Sequence, residues 1–484
     1  MCTRPNILFI LSDQHNAKYM GHTGLTGAIT PNLDRLAAGG VRFDAAYCPV
    51  TICGPSRVAY HSGQYAHNSG RFGFSGPMPP MPTLYGHFRR AGYHTACIGK
   101  MHCPHYWLER DCDEFYETDR TSVGGSCKEF LDYQGARGIN IYDEYDGGIA
   151  EWGPSPFAYE DSQEGWQARQ AMQVMRTAQA AGKPFLVHLS QTKPHQPYKP
   201  ARQFWDLYEG KVHLPPNADY DMHAAAKAPY LIHVSDSNRK NPNFDANRRG
   251  KLQGYLGNVT HCDFAIGQVL EFMAAQGLME NTIIVYSADH GEYAAEHGPG
   301  EKVPGIAADA VVRVPFIWHW AGNPAIKGGQ VITDPVETID VARTLCALAG
   351  VERLDTADGQ DLAPVLAGQA VQPHRIAVTE YPLSKSVRMG KWRMVYYPPG
   401  FFRGYGPDDW GELYDLQADP WEMKNLYFGA QYAAVVRQME RELLDWLCMT
   451  GRPTTAYTPV TALGADGKIT PEEIWGGTPC APYL

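Results

Sequence analysis

The sequence predicts an α/β protein with a large central, mostly parallel sheet sandwiched by helices, followed by a smaller C-terminal α+β subdomain. Two patterns carry that expectation. Short apolar runs of strand length alternate with stretches of helical periodicity over most of the chain, and the composition changes after about Ala367. Size permits it: 484 residues, 44% of them hydrophobic, can bury one large core and a second, smaller one.

The first run, Ile7-Leu8-Phe9-Ile10-Leu11, is too short for a signal sequence and is followed closely by Asp13, so 6–11 reads as a buried strand. Similar runs at 94–98, 184–189, 282–286 and 314–318 read as further strands of the same sheet. Leu252, Tyr255, Val259, Cys262, Ile266, Val269 and Met273 recur at helical spacing, which predicts a long helix packed on that sheet. Residues 140–161 are rich in Tyr, Trp, Asp, Gly and Pro without a clean period, which suggests a long insertion at the rim of a site. Beyond Ala367, 376–380, 392–397 and 412–414 read as strands of a small sheet and 431–447 as a helix. The final stretch, 450–484, is rich in Pro, Gly and Thr and reads as an extended arm across the surface or onto a second copy of the chain, so a homo-oligomer is an expectation. The expected units are therefore 1–367, 368–449 and 450–484.

Charge and composition exclude several function classes. Acidic residues outnumber basic ones by ten, and no Lys/Arg-dense stretch occurs, so a nucleic-acid partner is not expected. No stretch approaches the roughly 18 apolar residues that span a bilayer, so no membrane partner is expected, and a cytoplasmic location follows. Eleven cysteines without Cys-x-x-Cys pairs point to neither a disulfide framework nor a structural zinc site, and most read as small buried hydrophobes. The Asn258-Val259-Thr260 sequon falls on the predicted long helix and carries no weight.

In open α/β sheets, ligands collect beyond the carboxyl ends of the strands. Asp13 follows the first strand, Lys100 and His102 the second, His195 the third, and Asp289 with His290 the fourth. Four strand ends thus aim polar residues at one point. Asp13, Gln14, Asp289 and His290 supply two carboxylates, an amide and an imidazole, a set that suits one divalent cation. On its own that pairing stays evenly balanced, because Asp at a strand end is often only a helix cap.

The segment Cys53-Gly54-Pro55-Ser56-Arg57, followed by Ser62-Gly63-Gln64-Tyr65, decides the balance. Its proline suits the first turn of a helix, whose N-terminus stabilises an anion. It resembles the Cys-x-Pro-Ser-Arg signature of the sulfatase family, within the alkaline-phosphatase-like superfamily. Residues 92–102, Gly-Tyr-His-Thr-Ala-Cys-Ile-Gly-Lys-Met-His, are similar to the family's Gly-Tyr-x-Thr-x-x-x-Gly-Lys-x-His element. Pro194-His195-Gln196-Pro197 resembles its Pro-His-x-Pro element, and 287–292 looks like its second metal motif. Lys302 stands where the family has a further lysine. Residues 30–37 and 412–422 match as well, so the resemblance runs from about Pro5 to about Leu426.

The resemblance implies a sulfuric ester hydrolase that converts a small-molecule sulfate monoester to alcohol or phenol plus sulfate. It implies that Cys53 is oxidised to formylglycine by a formylglycine-generating enzyme, a transient partner. The aldehyde hydrate then offers two hydroxyls: one attacks sulfur, and the other later expels sulfate. The implied catalytic set is Cys53, Arg57, Lys100, His102, His195 and Lys302. Lys100 and Lys302 clamp the anion, His102 takes a proton, and His195 either protonates the leaving oxygen or hydrogen-bonds the sulfate. The implied metal ligands are Asp13, Gln14, Cys53, Asp289 and His290. Many sulfatases carry Asp where this chain has Gln14 and Asn where it has His290, which leaves manganese open beside the expected calcium. A phosphonate monoester or phosphodiester hydrolase using the same site is the nearest rival; Lys100 and His102 favour sulfate. A non-catalytic binding protein would keep Cys53 as a thiol, and the complete residue set argues against it. His15, His67, Asn68 and His297 lie near these segments and are candidates to line the substrate pocket, with a structural role the stronger reading for each. Phenyl sulfate, a sulfated sugar and choline sulfate all remain open as substrates.

Overall fold

The computed structural model describes residues 4–73, 81–119, 125–145, 151–298, 301–302 and 306–451. Its centre is β1 (Asn6–Asp13), whose eight residues are buried on both faces. That is the signature of a strand covered by helices on each side. Ile7, Phe9 and Leu11 point into one apolar cluster and Leu8 and Ile10 into another, so the pleat distributes a continuous apolar run between two cores.

Around β1 the main sheet also contains β2 (Val41–Phe43), β4 (His94–Gly99), β5 (Glu114–Glu117), β6 (Phe185–Pro194), β7 (Thr282–Ala288), β8 (Phe316–His319) and β9 (Gln330–Ile332). The order is β5-β4-β6-β1-β7-β8-β2-β9. Ile7 stands opposite Leu186 on one side and Ile283 on the other, both in parallel register. The run expected at 314–318 forms β8, which pairs antiparallel with β7 and β2, so the sheet is mostly and not wholly parallel. The helix Phe244–Ala275, predicted from its period, packs with Gln163–Ala180 over the face bearing Leu8 and Ile10. Two residues each of β3 (Ala46–Tyr47) and β10 (Val336–Glu337) form a short parallel pair.

The C-terminal sheet is antiparallel in the order β11 (Ala377–Glu380), β12 (Lys385–Met389), β13 (Trp392–Tyr396), β14 (Gly411–Asp415). The helix Ala433–Thr450 covers it through Val436, Met439, Leu443 and Trp446. β12 was not among the expected strands; it carries a single strongly apolar residue, Val387, between polar ones. The fully buried Arg393 of β13 hydrogen-bonds Ala307 O and pairs with Glu422, tying the small sheet to the main body. The arm expected from 450 falls outside the described residues after Gly451, as do 146–150 of the insertion. Among the described residues no helix is long and apolar enough to cross a membrane. The described cysteines are all free, and most are buried.

Candidate active site

The adjacent strands β4, β6, β1 and β7 end side by side, and their carboxyl ends deliver the residues singled out from the sequence. A register shift between Ser12 and Asp13 places Asp13 opposite Pro194. There the Asp13 carbonyl accepts from His195 N (3.1 Å), and Ser12 O accepts from Asp289 N (3.2 Å). After β4 the chain turns at Gly99 (φ 103°), where any Cβ would stand 1.8 Å from Ser190 O, so only glycine brings Lys100 this close to β6.

Cys53 opens the helix Cys53–Ser62, whose N-cap, Ile52, has no side chain to cap the first turn. One ligand atom each from Asp13, Cys53, Asp289 and His290 lies within 4.8 Å of the others, and all four residues are buried. His290 Nδ1 hydrogen-bonds the Gly291 carbonyl (2.8 Å), which leaves Nε2 as the free ring nitrogen. Nε2 points between Asp13 Oδ1 and Asp289 Oδ1, at 3.9 Å from each. Asp13 Oδ1 and His290 Nε2 are both buried without a hydrogen-bond partner. Orphaned acceptors of this kind are rare in folded proteins, and here they converge on one point, as ligands of a cation do. Two carboxylates, a sulfur and an imidazole are a donor set such an ion fits.

Positive groups surround this cluster. Arg57 is fully buried: Nε donates to Asp289 Oδ2 (2.8 Å), Nη1 to Ser190 Oγ (2.6 Å) and to Lys100 O, and Nη2 lies 3.4 Å from Asp13 Oδ2. It therefore ties the two carboxylates together from behind. Lys100 Nζ stands 2.7 Å from Asp13 Oδ2 and 3.2 Å from Asp119 Oδ2. Lys302 Nζ stands 3.7 Å from Cys53 Sγ and 2.5 Å from Gln14 Oε1. His102, held at φ 51°, is one of the groups that lower the Cys53 pKa. His195 Nδ1 is engaged by Gln196 O (2.7 Å), and the ring is close enough to Asp13 to affect its charge.

The electrostatics follow from that packing. Burial works to raise the Asp13 carboxyl, but Lys100, His195 and Arg57 hold it below the usual carboxylate range. Burial also opposes the Cys53 thiolate, yet Lys302, Lys100 and His290 draw its pKa well below that of an ordinary thiol. His290 is raised despite burial and Lys302, because Asp289 and Cys53 favour its cation. The acids thus favour a cation beside them, while the lysines favour an anion at residue 53.

Every residue expected at the site from the sequence is therefore brought to these strand ends. His15, His67, Asn68 and His297 are not part of the cluster. His15 is held by Tyr286 OH and Tyr19 O, His67 by Glu380 and Thr450, Asn68 by Asp358 and Thr450 O, and His297 by Tyr220 OH and Asn217. Three participants were not foreseen. Asp119, after β5, shares Lys100 with Asp13. Asn258, fully buried in the long helix, donates to Pro194 O, His195 O and Pro197 O (3.4, 3.3 and 3.2 Å) and so staples the His195 loop; its only signal was an amide inside an apolar stripe. Glu144 of the insertion accepts from Lys193 Nζ near the end of β6 (3.1 Å), and burial chiefly pushes the phenol of the adjacent Tyr145 up to about 12, with Asp119 and Lys100 in electrostatic range.

Comparison with known proteins agrees with this geometry. A sequence profile described as Sulfatase matches residues 5–351, and one described as N-sulphoglucosamine sulphohydrolase, C-terminal, matches 305–447. The chain is 28% identical to a choline-sulfatase of Rhizobium meliloti, over 87% of this chain and 82% of that protein. It is 26% identical to an arylsulfatase of Clostridium perfringens, over 92% and 94%. Its fold matches the phosphonate monoester hydrolase of Silicibacter pomeroyi with a TM-score of 0.78 at 23% identity, covering 95% of this chain and 98% of that one. With the profile spanning most of the chain and the strand-end cluster in place, the chain belongs to the sulfatase family of sulfuric ester hydrolases, in the alkaline-phosphatase-like superfamily.

Proposed function

We propose that the protein hydrolyses a sulfate monoester through a formylglycine derived from Cys53, held against one divalent cation, with calcium the expected ion. The observation that carries this reading is the convergence of the orphaned Asp13 Oδ1 and His290 Nε2 on Asp289 and Cys53. Asp13, Asp289, His290, residue 53 and the Gln14 carbonyl would hold the cation. When bound, it would lower the pKa of the residue-53 hydroxyl and neutralise a sulfate oxygen.

The chain's own residues do the rest. The lysines that lower the Cys53 pKa would equally favour an oxyanion on residue 53 after conversion by a separate modifying enzyme. Lys100, beside Asp13, and Lys302, beside residue 53, hold the transferred group. His102, which acts on the charge of residue 53, takes its proton. His195, fixed by Gln196 O and Asn258, gives a proton to the leaving oxygen. Arg57 keeps Asp13 and Asp289 in register without itself facing the ester. Residues up to about 367 form the catalytic unit in this reading, 368–449 a supporting one, and 450–484 an arm.

A second reading, a phosphonate monoester hydrolase, draws on the fold similarity to that enzyme of Silicibacter pomeroyi. Measuring kcat/KM for an aryl sulfate against the matching aryl phosphonate monoester separates the two. The sulfatase reading expects the sulfate to turn over faster, and a faster phosphonate overturns it.

A further inference from the structure

Gln14 is fully buried on a backbone at φ 70°, and its carboxamide is held at both ends. Nε2 donates to Gln196 Oε1 (2.9 Å) and to Glu292 Oε2, while Oε1 accepts from Lys302 Nζ at 2.5 Å. The same ammonium lies 3.7 Å from Cys53 Sγ, so the carbonyl end of the amide faces the reacting cluster. The two ends of a carboxamide are nearly equal in size, and its neighbours decide which one faces a ligand. Gln196 cannot decide it, because its own amide can turn over in concert. Lys302, a pure donor, holds the oxygen end, and Glu292 holds the other: it is fully buried, its Oε1 is already taken by Tyr293 N (2.7 Å), and as a carboxylate, the form that Lys302 favours against burial, it accepts but does not donate. Turned over, Gln14 would set its oxygen against the Glu292 carboxylate and its NH2 against the Lys302 ammonium, exchanging two hydrogen bonds for two repulsions.

We propose that Glu292 is a positioning residue: it fixes the Gln14 amide with its oxygen toward the cation site and thereby sets the affinity of that site for a divalent ion. The proposal rests on the metal reading above. Outer partners that orient metal ligands typically contribute 10–100-fold in affinity, and a carboxylate behind an amide ligand does so by forbidding the wrong end.

The test is a variant cycle on the metal-depleted full chain, titrated calorimetrically with calcium and, separately, with manganese. Glu292→Gln, close in shape but able to donate, should weaken binding about 10–100-fold where residue 14 is glutamine. In a Gln14→Asp background the ligand has two equivalent oxygens, so adding Glu292→Gln should change affinity less than about threefold. Unchanged affinity in the single variant, or an equal loss in both backgrounds, overturns the proposal while leaving the metal reading intact. Failure of the unaltered protein to bind either ion overturns both. Should Glu292→Gln not fold, the same cycle with Glu292→Asp, which withdraws the acceptor by one methylene, is judged by the same outcomes.

Discussion

Among the described residues, two buried groups join acids and a histidine closely enough to hold a metal, Asp13–Asp289–His290 with Cys53 at the strand ends and Glu337–Asp340–His374 beneath the small sheet. Residue types and burial alone would make either a metal site. In the second group the acceptors are taken: Glu337 Oε1 by Val378 N (2.7 Å) and Oε2 by Tyr65 OH, Asp340 Oδ1 by Gln360 N (2.7 Å) and Oδ2 by His374 Nε2 (2.8 Å). In the first, Asp13 Oδ1 and His290 Nε2 have no partner. Hydrogen-bond satisfaction separates a latch that joins β11 to the main body from a site built to receive a ligand.

The comparison can be broken by experiment. Cys53→Ala should lower kcat by at least about a thousandfold, with the unfolding temperature little changed, because it removes the nucleophile and only a small side chain. Lys302→Met should lower kcat/KM for a sulfate ester about 10²–10³-fold, since one fixed cation facing the transferred group is lost. His374→Gln should leave turnover within about threefold but destabilise the fold by about 3 kcal/mol in denaturant titration, because a buried carboxylate loses its charged partner. Adding calcium to metal-depleted protein should stabilise it by about 2.7 kcal/mol at a hundred times Kd, and by a similar amount in the His374→Gln variant. A calcium response that vanishes with His374 would reverse the assignment of the two clusters.

The latch also predicts a pH dependence. Burial lowers His374, but the facing Asp340 and Glu337 carboxylates outweigh it and raise the imidazole from 6.5 to about 9. A pKa raised on folding contributes stability that is complete below the unfolded value and is lost as pH rises through the folded one. The stability gap between the unaltered protein and His374→Gln should therefore be widest near about pH 6 and shrink by about pH 10.

The sequence made the main strands legible because β1, β4, β6 and β7 are buried on both faces, which leaves apolar stretches such as Ile7 to Leu11 and Ile283 to Tyr286. β2, β5, β9 and β12 escaped because they are short or interleaved with polar residues, where neighbouring strands and not local pattern decide the structure. At the site, strand ends located Asp13, Lys100, His195 and Asp289, while the roles of Cys53, His102 and Lys302 came through resemblance. The partners of Gln14 and Lys100 could not be read, because Glu292 and Asp119 reach them only through the fold. The insertion was placed at the rim from composition, and Glu144, accepting from Lys193 Nζ near the end of β6, gives that placement a physical contact.

The nucleophile is tested most directly by mass spectrometry of the peptide spanning residue 53, taken from a preparation that hydrolyses an aryl sulfate. The account predicts a mass in which the sulfur and two hydrogens of cysteine are replaced by one oxygen, in a fraction of molecules that scales with activity. A fully active preparation carrying only the unmodified thiol would contradict it.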